Sequence, residues 1–156
     1  YSVWAMPAED VKERLKKVME KLRGEFGGPE FEPHITVVGA IRLTKKDALK
    51  SYTAHINTVS RGDYFYQCVY LLVDPTPEVM EASAHCTSHF GYTNSSPYMP
   101  HLSLLYGDLT NEEKERAQER VKFHDESICD LSFNISCLAL YKTDTEDKTL
   151  KSWEKV

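Results

Sequence analysis

Two histidines offer the plainest chemistry in this sequence. Pro33-His34-Ile35-Thr36-Val37-Val38 and Pro100-His101-Leu102-Ser103-Leu104-Leu105 share one order: proline, histidine, an apolar residue, a hydroxyl, then two apolar residues. The likeness continues beyond them. Leu43-Thr44 is followed by Asp47, and Leu109-Thr110 is followed at the same offset by Glu113. The histidines stand 67 positions apart and the threonines 66, so one residue is gained or lost between the copies. Such self-similarity predicts two lobes related by a pseudo-twofold axis.

Strand geometry decides what the repeated residues can do. Successive side chains point to opposite faces, so His34 and Thr36 share one face while Ile35 and Val37 take the other. His101 and Ser103 repeat the arrangement. If the apolar members enter the core of each lobe, two imidazoles and two hydroxyls converge on a shared cleft. That set suits in-line displacement at phosphorus. One neutral imidazole takes a proton from water, and one imidazolium gives a proton to the departing sugar oxygen. The hydroxyls of Thr36 and Ser103 bind the non-bridging oxygens as charge builds there. An unperturbed histidine pKa of roughly 6.5 makes both forms accessible near neutrality. The near-symmetry hides which ring is which; the reading leans to His101 as base and His34 as acid. The scheme requires no metal.

The elements that must hold these residues are legible in outline. Tyr1 to Ala5 reads as a strand, and Pro7 opens a helix with Glu9 and Asp10 in its first turn. Val11, Leu15, Val18, Leu22 and Phe26 mark its buried face, and Gly27-Gly28-Pro29 ends it. A strand at His34–Val38 leads to a helix from Thr44 to about Thr53, with Thr44 and Asp47 in capping-box spacing. Two strands turn at Arg61-Gly62-Asp63, the second running from Tyr64 to Val73. Pro75-Thr76-Pro77 starts a helix to about Phe90. Tyr98–Tyr106 reads as a strand, and Thr110 with Glu113 caps a charged helix to about Phe123. Leu131–Lys142 is a strand, Thr143–Lys148 a turn, and Leu150–Val156 a closing strand. The order β-α-β-α-β-β-α-β-α-β-β predicts an α+β fold in a single bilobal domain over residues 1–156. It comprises two antiparallel sheets with outer helices and a cleft between the lobes.

Composition limits the partners. The 41% hydrophobic and 28% charged content is that of a globular chain able to bury a core without staples. A formal net charge of −5 argues against a grip on long nucleic acid and for a small anionic substrate held locally. Cys68, Cys86, Cys129 and Cys137 form no CxxC pair and are read as free thiols of an intracellular protein. No run of about 18 apolar residues is present, so no membrane role is expected. A chain that starts at Tyr1, without Met and already strand-like, is expected to have been trimmed. His85 and His89 are one helical turn apart, a zinc-compatible spacing, but lack a further ligand pair and read as surface helix. His55 and His124 read as structural.

The paired His34-Ile35-Thr36 and His101-Leu102-Ser103 motifs resemble those of the 2H phosphoesterase superfamily. Tyr1-Ser2-Val3-Trp4-Ala5, Phe65-Tyr66-Gln67-Cys68-Val69, Pro97 to Tyr106 and Lys142 to Leu150 are similar to the plant cyclic phosphodiesterases within it. The resemblance implies a bilobal α+β fold with one motif per lobe. It also implies hydrolysis of small ribose cyclic phosphates. ADP-ribose 1″,2″-cyclic phosphate, a by-product of tRNA splicing, would give ADP-ribose 1″-phosphate, and nucleoside 2′,3′-cyclic phosphates would give 2′-phosphates. By position it makes Trp4 and Tyr106 substrate-binding residues. A cytoplasmic monomer without cofactor is the matching expectation. The alternatives are a phosphodiesterase for 2′,5′-linked oligonucleotides or RNA ends, and a non-catalytic cyclic-nucleotide-binding module. Tyr106 has the wrong face parity in a regular strand, so a bulge or strand end must re-aim it.

Overall fold

A computed structural model of the chain describes residues 1–38, 51–91, 93 and 96–156. The first strand, β1 (Ser2–Met6), leads into α1 (Glu9–Phe26), which buries Val11, Leu15, Val18, Met19 and Leu22 along one side. Each large aliphatic side chain so buried contributes about 1.5–3 kcal/mol relative to exposure. Gly27 ends the helix in a left-handed conformation that favours glycine (φ 75°). Gly28 (φ 102°) lies so close to the Tyr106 carbonyl that a Cβ there would collide with its oxygen. The chain after α1 is thereby pressed against the strand that carries His101.

The remaining elements are β2 (Ile35–Val38), β3 (Tyr52–Arg61), β4 (Val69–Val73), α2 (Pro77–His89), β5 (His101–Leu105), α3 (Asn111–His124), β6 (Ser132–Ile135), β7 (Cys137–Lys142) and β8 (Glu154–Lys155). Every strand pair is antiparallel, which bears out the α+β reading with an antiparallel sheet. The pairs join as one curled order, β6-β3-β4-β5-β2-β1-β7-β8, where two separate sheets were expected. The motif strands β2 and β5 are neighbours at its centre. Thr110 and Glu113 form the expected capping box on α3, with Thr110 N–H donating to Glu113 Oε2 at 2.8 Å. The matching pair Thr44 and Asp47 lies outside the described residues.

Four boundaries differ from the sequence reading, each for a physical reason. The expected helix from Thr44 lies mostly outside the described residues, but Tyr52 and Thr53 already belong to β3, where Tyr52, Ala54 and Ile56 are buried in strict alternation. The strand expected over Tyr64–Val73 begins only at Val69, because Phe65–Gln67 turns out of the sheet as a short 3₁₀ segment. Leu131–Lys142 splits at Ser136 into β6, paired with β3, and β7, paired with β1, towards opposite ends of the sheet. Alternating burial says which face a residue takes but not which strand it pairs with. The closing strand shrinks to Glu154–Lys155, since Asp147 draws the chain into a turn by accepting from the N–H and hydroxyl of both Thr149 and Ser152.

Candidate active site

The central pairing decides where the motif residues meet. Ile35 of β2 stands opposite Leu102 of β5 in an antiparallel ladder. One step either way sets Thr36 opposite His101 and His34 opposite Ser103, and strand alternation turns these side chains to the face away from Ile35 and Leu102. Ile35 and Leu102 are fully buried in the core beneath. Directly opposed side chains start about 4.5–5.5 Å apart and diagonal ones about 7–8 Å apart. The histidines occupy a diagonal, a separation that two imidazoles can close on one phosphorus.

Both rings are anchored alike. His34 Nδ1 donates to the Glu32 carbonyl at 2.6 Å, and His101 Nδ1 donates to the Met99 carbonyl at 2.9 Å. A carbonyl only accepts, so Nδ1 carries the proton in each ring, and the Nε2 of the neutral imidazole holds a lone pair. Neither Nε2 has a hydrogen-bond partner among the described residues. The His34 pKa is lowered to about 4, chiefly by burial; the hydrogen bond to the Glu32 carbonyl opposes the shift and the charge of His101 adds to it. Burial also lowers the His101 pKa.

Aromatic rings surround His34. Trp4 stacks on it with centroids 3.5 Å apart and planes within 7°, and Tyr141 stacks on Trp4 at 3.7 Å. Two parallel rings that close to one centroid must lie on opposite faces of it. Both faces of Trp4 are therefore taken, its Nε1 donates to Ser2 Oγ at 2.7 Å, and only its edge is left to meet a ligand. Tyr106 stands just past the end of β5, buried, stacked on Phe31 at 3.9 Å and edge-on to Tyr66. The strand end supplies the re-aiming that its parity required. Burial pushes the Tyr106 phenol up, and its hydrogen bond with Ser103 opposes that shift.

The two hydroxyls differ. Ser103 is buried and its Oγ donates to the Tyr66 carbonyl at 3.1 Å. The Thr36 hydroxyl is half-buried and makes no hydrogen bond among the described residues, while the Thr36 carbonyl accepts from Tyr98 OH at 2.9 Å. A cavity of about 370 Å³ opens at this end of the site, lined by Thr36, Val38, Gln67, Tyr98, Met99 and His101 among others. Of the expected residues, Thr36 and His101 line it, and His34, Ser103, Trp4 and Tyr106 do not.

Sequence reasoning missed part of this wall. An aromatic, β-branched run reads as strand, which puts Tyr66 and Gln67 in the sheet. The Phe65–Gln67 turn instead folds across the motif face, which the contact from Ser103 to the Tyr66 carbonyl records. Trp153 was also missed. It stacks on Tyr66 at 5.6 Å and approaches Trp4 at 5.8 Å, with its Nε1 donating to the Asp144 carbonyl. His85 and His89 lie on α2 with ring centroids 6.3 Å apart, and among the described residues no three His, Cys, Asp or Glu cluster as a metal site. All four cysteines are free, Cys68 and Cys86 buried. No described helix is long and apolar enough to cross a membrane.

A family model described as cyclic phosphodiesterase-like protein matches residues 1–155. The chain is 55% identical over 166 aligned residues to a cyclic phosphodiesterase of Arabidopsis thaliana, covering 100% of this chain and 92% of that protein. A cyclic phosphodiesterase of Triticum aestivum is 36% identical over 88 residues, 56% of this chain and 94% of the relative. A 2′,3′-cyclic-nucleotide 3′-phosphodiesterase of Yarrowia lipolytica is 25% identical over 138 residues, 77% of this chain and 62% of the relative.

Proposed function

We propose, from the premise that this chain belongs to the cyclic phosphodiesterase-like family and is a phosphodiesterase, that it opens small ribose cyclic phosphates by acid–base catalysis from His34 and His101. The observation that carries the reading is the β2–β5 register, which sets two Nδ1-anchored imidazoles and two hydroxyls on one face. Water attacks phosphorus and loses a proton to one Nε2. The bond from phosphorus to one ribose oxygen breaks, and that oxygen takes a proton from the other Nε2. Thr36 donates to a non-bridging oxygen, Ser103 can join it only by giving up its bond to the Tyr66 carbonyl, Tyr106 orients Ser103, and Trp4 meets the substrate by its edge. The substrate class is nucleoside 2′,3′-cyclic phosphates, opened to 2′-phosphates, together with ADP-ribose 1″,2″-cyclic phosphate, opened to the 1″-phosphate.

The sheet order supports a bilobal reading. Each half, β6-β3-β4-β5 and β2-β1-β7-β8, is four strands with its motif strand innermost, as a pseudo-twofold axis between β5 and β2 requires. Histidines that burial keeps neutral gain basicity beside a phosphate anion, since nearby negative charge favours imidazolium. An acid role for His34 depends on that gain more than one for His101, because His34 is the more buried.

The test is product analysis by phosphorus NMR with the four 2′,3′-cyclic nucleotides and ADP-ribose 1″,2″-cyclic phosphate. His34→Ala and His101→Ala should each lower kcat/KM by roughly 10²–10⁴-fold. Activity should survive EDTA and follow a bell-shaped pH profile. Full activity in the double variant rules out the mechanism. Tight binding without product would favour a binding module, and a preference for 2′,5′-linked oligonucleotides would favour the other enzyme class.

A further inference from the structure

In-line displacement gathers charge on the non-bridging oxygens, and a site that speeds it needs donors aimed there. Two features limit the donors near His34 and His101. The cavity lining holds no Lys or Arg among the described residues. The Ser103 hydroxyl already donates to the Tyr66 carbonyl, which leaves it an acceptor in this arrangement. Of the motif hydroxyls, Thr36 is then the one left to donate.

Gln67 supplies what is missing. It is half-buried and lines the same cavity wall as Thr36 and His101, and its side-chain amide has no hydrogen-bond partner among the described residues. A side-chain amide offers two N–H donors with no net charge. The backbone beneath it is held firmly. Gln67 N–H donates to the Tyr64 carbonyl at 2.9 Å, and Gly62 N–H donates to the Cys68 carbonyl at 3.2 Å. A Cβ on Gly62 would meet the Gln67 carbonyl at 2.6 Å, so the β3–β4 turn can approach this closely only with glycine there. The turn that replaces the expected strand thus brings Gln67 to the cavity that Thr36 and His101 also line.

We infer that Gln67 is a further catalytic residue, its side-chain amide donating to a non-bridging phosphate oxygen on the His101 side of the site. This rests on the cyclic phosphate reading above. The carboxamide accepts and donates no proton in the reaction; it stabilises charge as the phosphorus gains its fifth ligand.

The test compares Gln67→Met, which keeps length but loses the donors, with Gln67→Glu, which brings negative charge to an anionic substrate. Gln67→Met should lower kcat by about 10- to 10²-fold, towards the lower end of the value of an oxyanion-hole donor. KM should stay within about threefold, and Tm should not change. The loss should be equal for all four 2′,3′-cyclic nucleotides, because each presents the same phosphate. Gln67→Glu should lose more than Gln67→Met. Wild-type kcat in Gln67→Met overturns the inference, as does a loss that varies with the base or lies wholly in KM. His34→Ala and His101→Ala are assayed alongside. If they lose activity and Gln67→Met does not, the role of Gln67 alone fails; if they stay fully active, the phosphate site itself is wrong and Gln67 falls with it.

Discussion

The two copies of the motif hold their histidines by the same device and surround them differently. In each, Nδ1 donates to the carbonyl two residues earlier, so the duplicated segment sets the same tautomer twice. Behind His34 the shell is closed. Trp4 covers one face of the ring, Tyr141 backs Trp4, and the Glu32 side chain is bracketed by Lys12 and Lys16 from α1 at 2.9 and 3.1 Å. His101 has an open side, with the Tyr70 ring tilted at 5.2 Å and the cavity before it. Repetition produces a matched pair of Nε2 atoms, and divergence of the shells separates their basicity. A reaction that needs one acid and one base benefits from that separation.

The largest effects should come from the rings themselves. The 10²–10⁴-fold losses expected for His34→Ala and His101→Ala are equal only if both rings move protons. Loss confined to one of them, measured as kcat/KM, would reduce the pair to one catalyst and one structural residue.

How far this was legible beforehand depended on the kind of signal. The motif residues, the α1 face and the Thr110–Glu113 box all rest on short-range spacing, and the structure bears out the α1 face and the box. The strand alternation that set His34 beside Thr36 also foretold which face they would share. Pairing between distant segments left no such mark. Nothing local tells that Ser132–Ile135 joins β3 while Cys137–Lys142 joins β1. The Phe65–Gln67 turn was hidden because it is held by Ser103 and Gly62, contacts that exist only after folding. The Trp4 sandwich was hidden likewise, since its partners are His34, just before β2, and Tyr141 of β7.

The shell around His34 can be tested next. Trp4→Phe keeps a ring but covers less of the imidazole, so the His34 pKa should climb from about 4 towards its ordinary value. The limb of the pH–rate profile that reports His34 should move up by about one unit, with the His101 limb fixed. Equal movement of both limbs would mean that Trp4 acts on the site as a whole. Glu32→Gln should cost less, about threefold to tenfold in kcat/KM, because it loosens the lysine bracket but keeps the carbonyl that anchors Nδ1. A larger loss than in Trp4→Phe would shift the source of asymmetry from the aromatic stack to the lysine clamp.

The last effect is on stability, and its sign follows from burial. His34 has a folded pKa near 4 and an ordinary unfolded value of roughly 6.5. Between those values the unfolded chain binds the proton more readily, so stability falls as pH drops from about 6.5 towards 4. The contribution is fully present above the unfolded pKa. The loss is on the order of 3 kcal/mol, or several degrees in Tm for a chain of this size. His34→Gln cannot be protonated there, so its Tm should fall less than wild type between pH 7 and pH 4.5. His101→Gln should spare less, because its ring is less buried than that of His34. Carboxylates titrate in the same window, but they do so alike in all three proteins and drop out of the comparison. Equal sparing by the two variants would show that the shells do not distinguish the histidines, and the asymmetry between the copies would lose its thermodynamic basis.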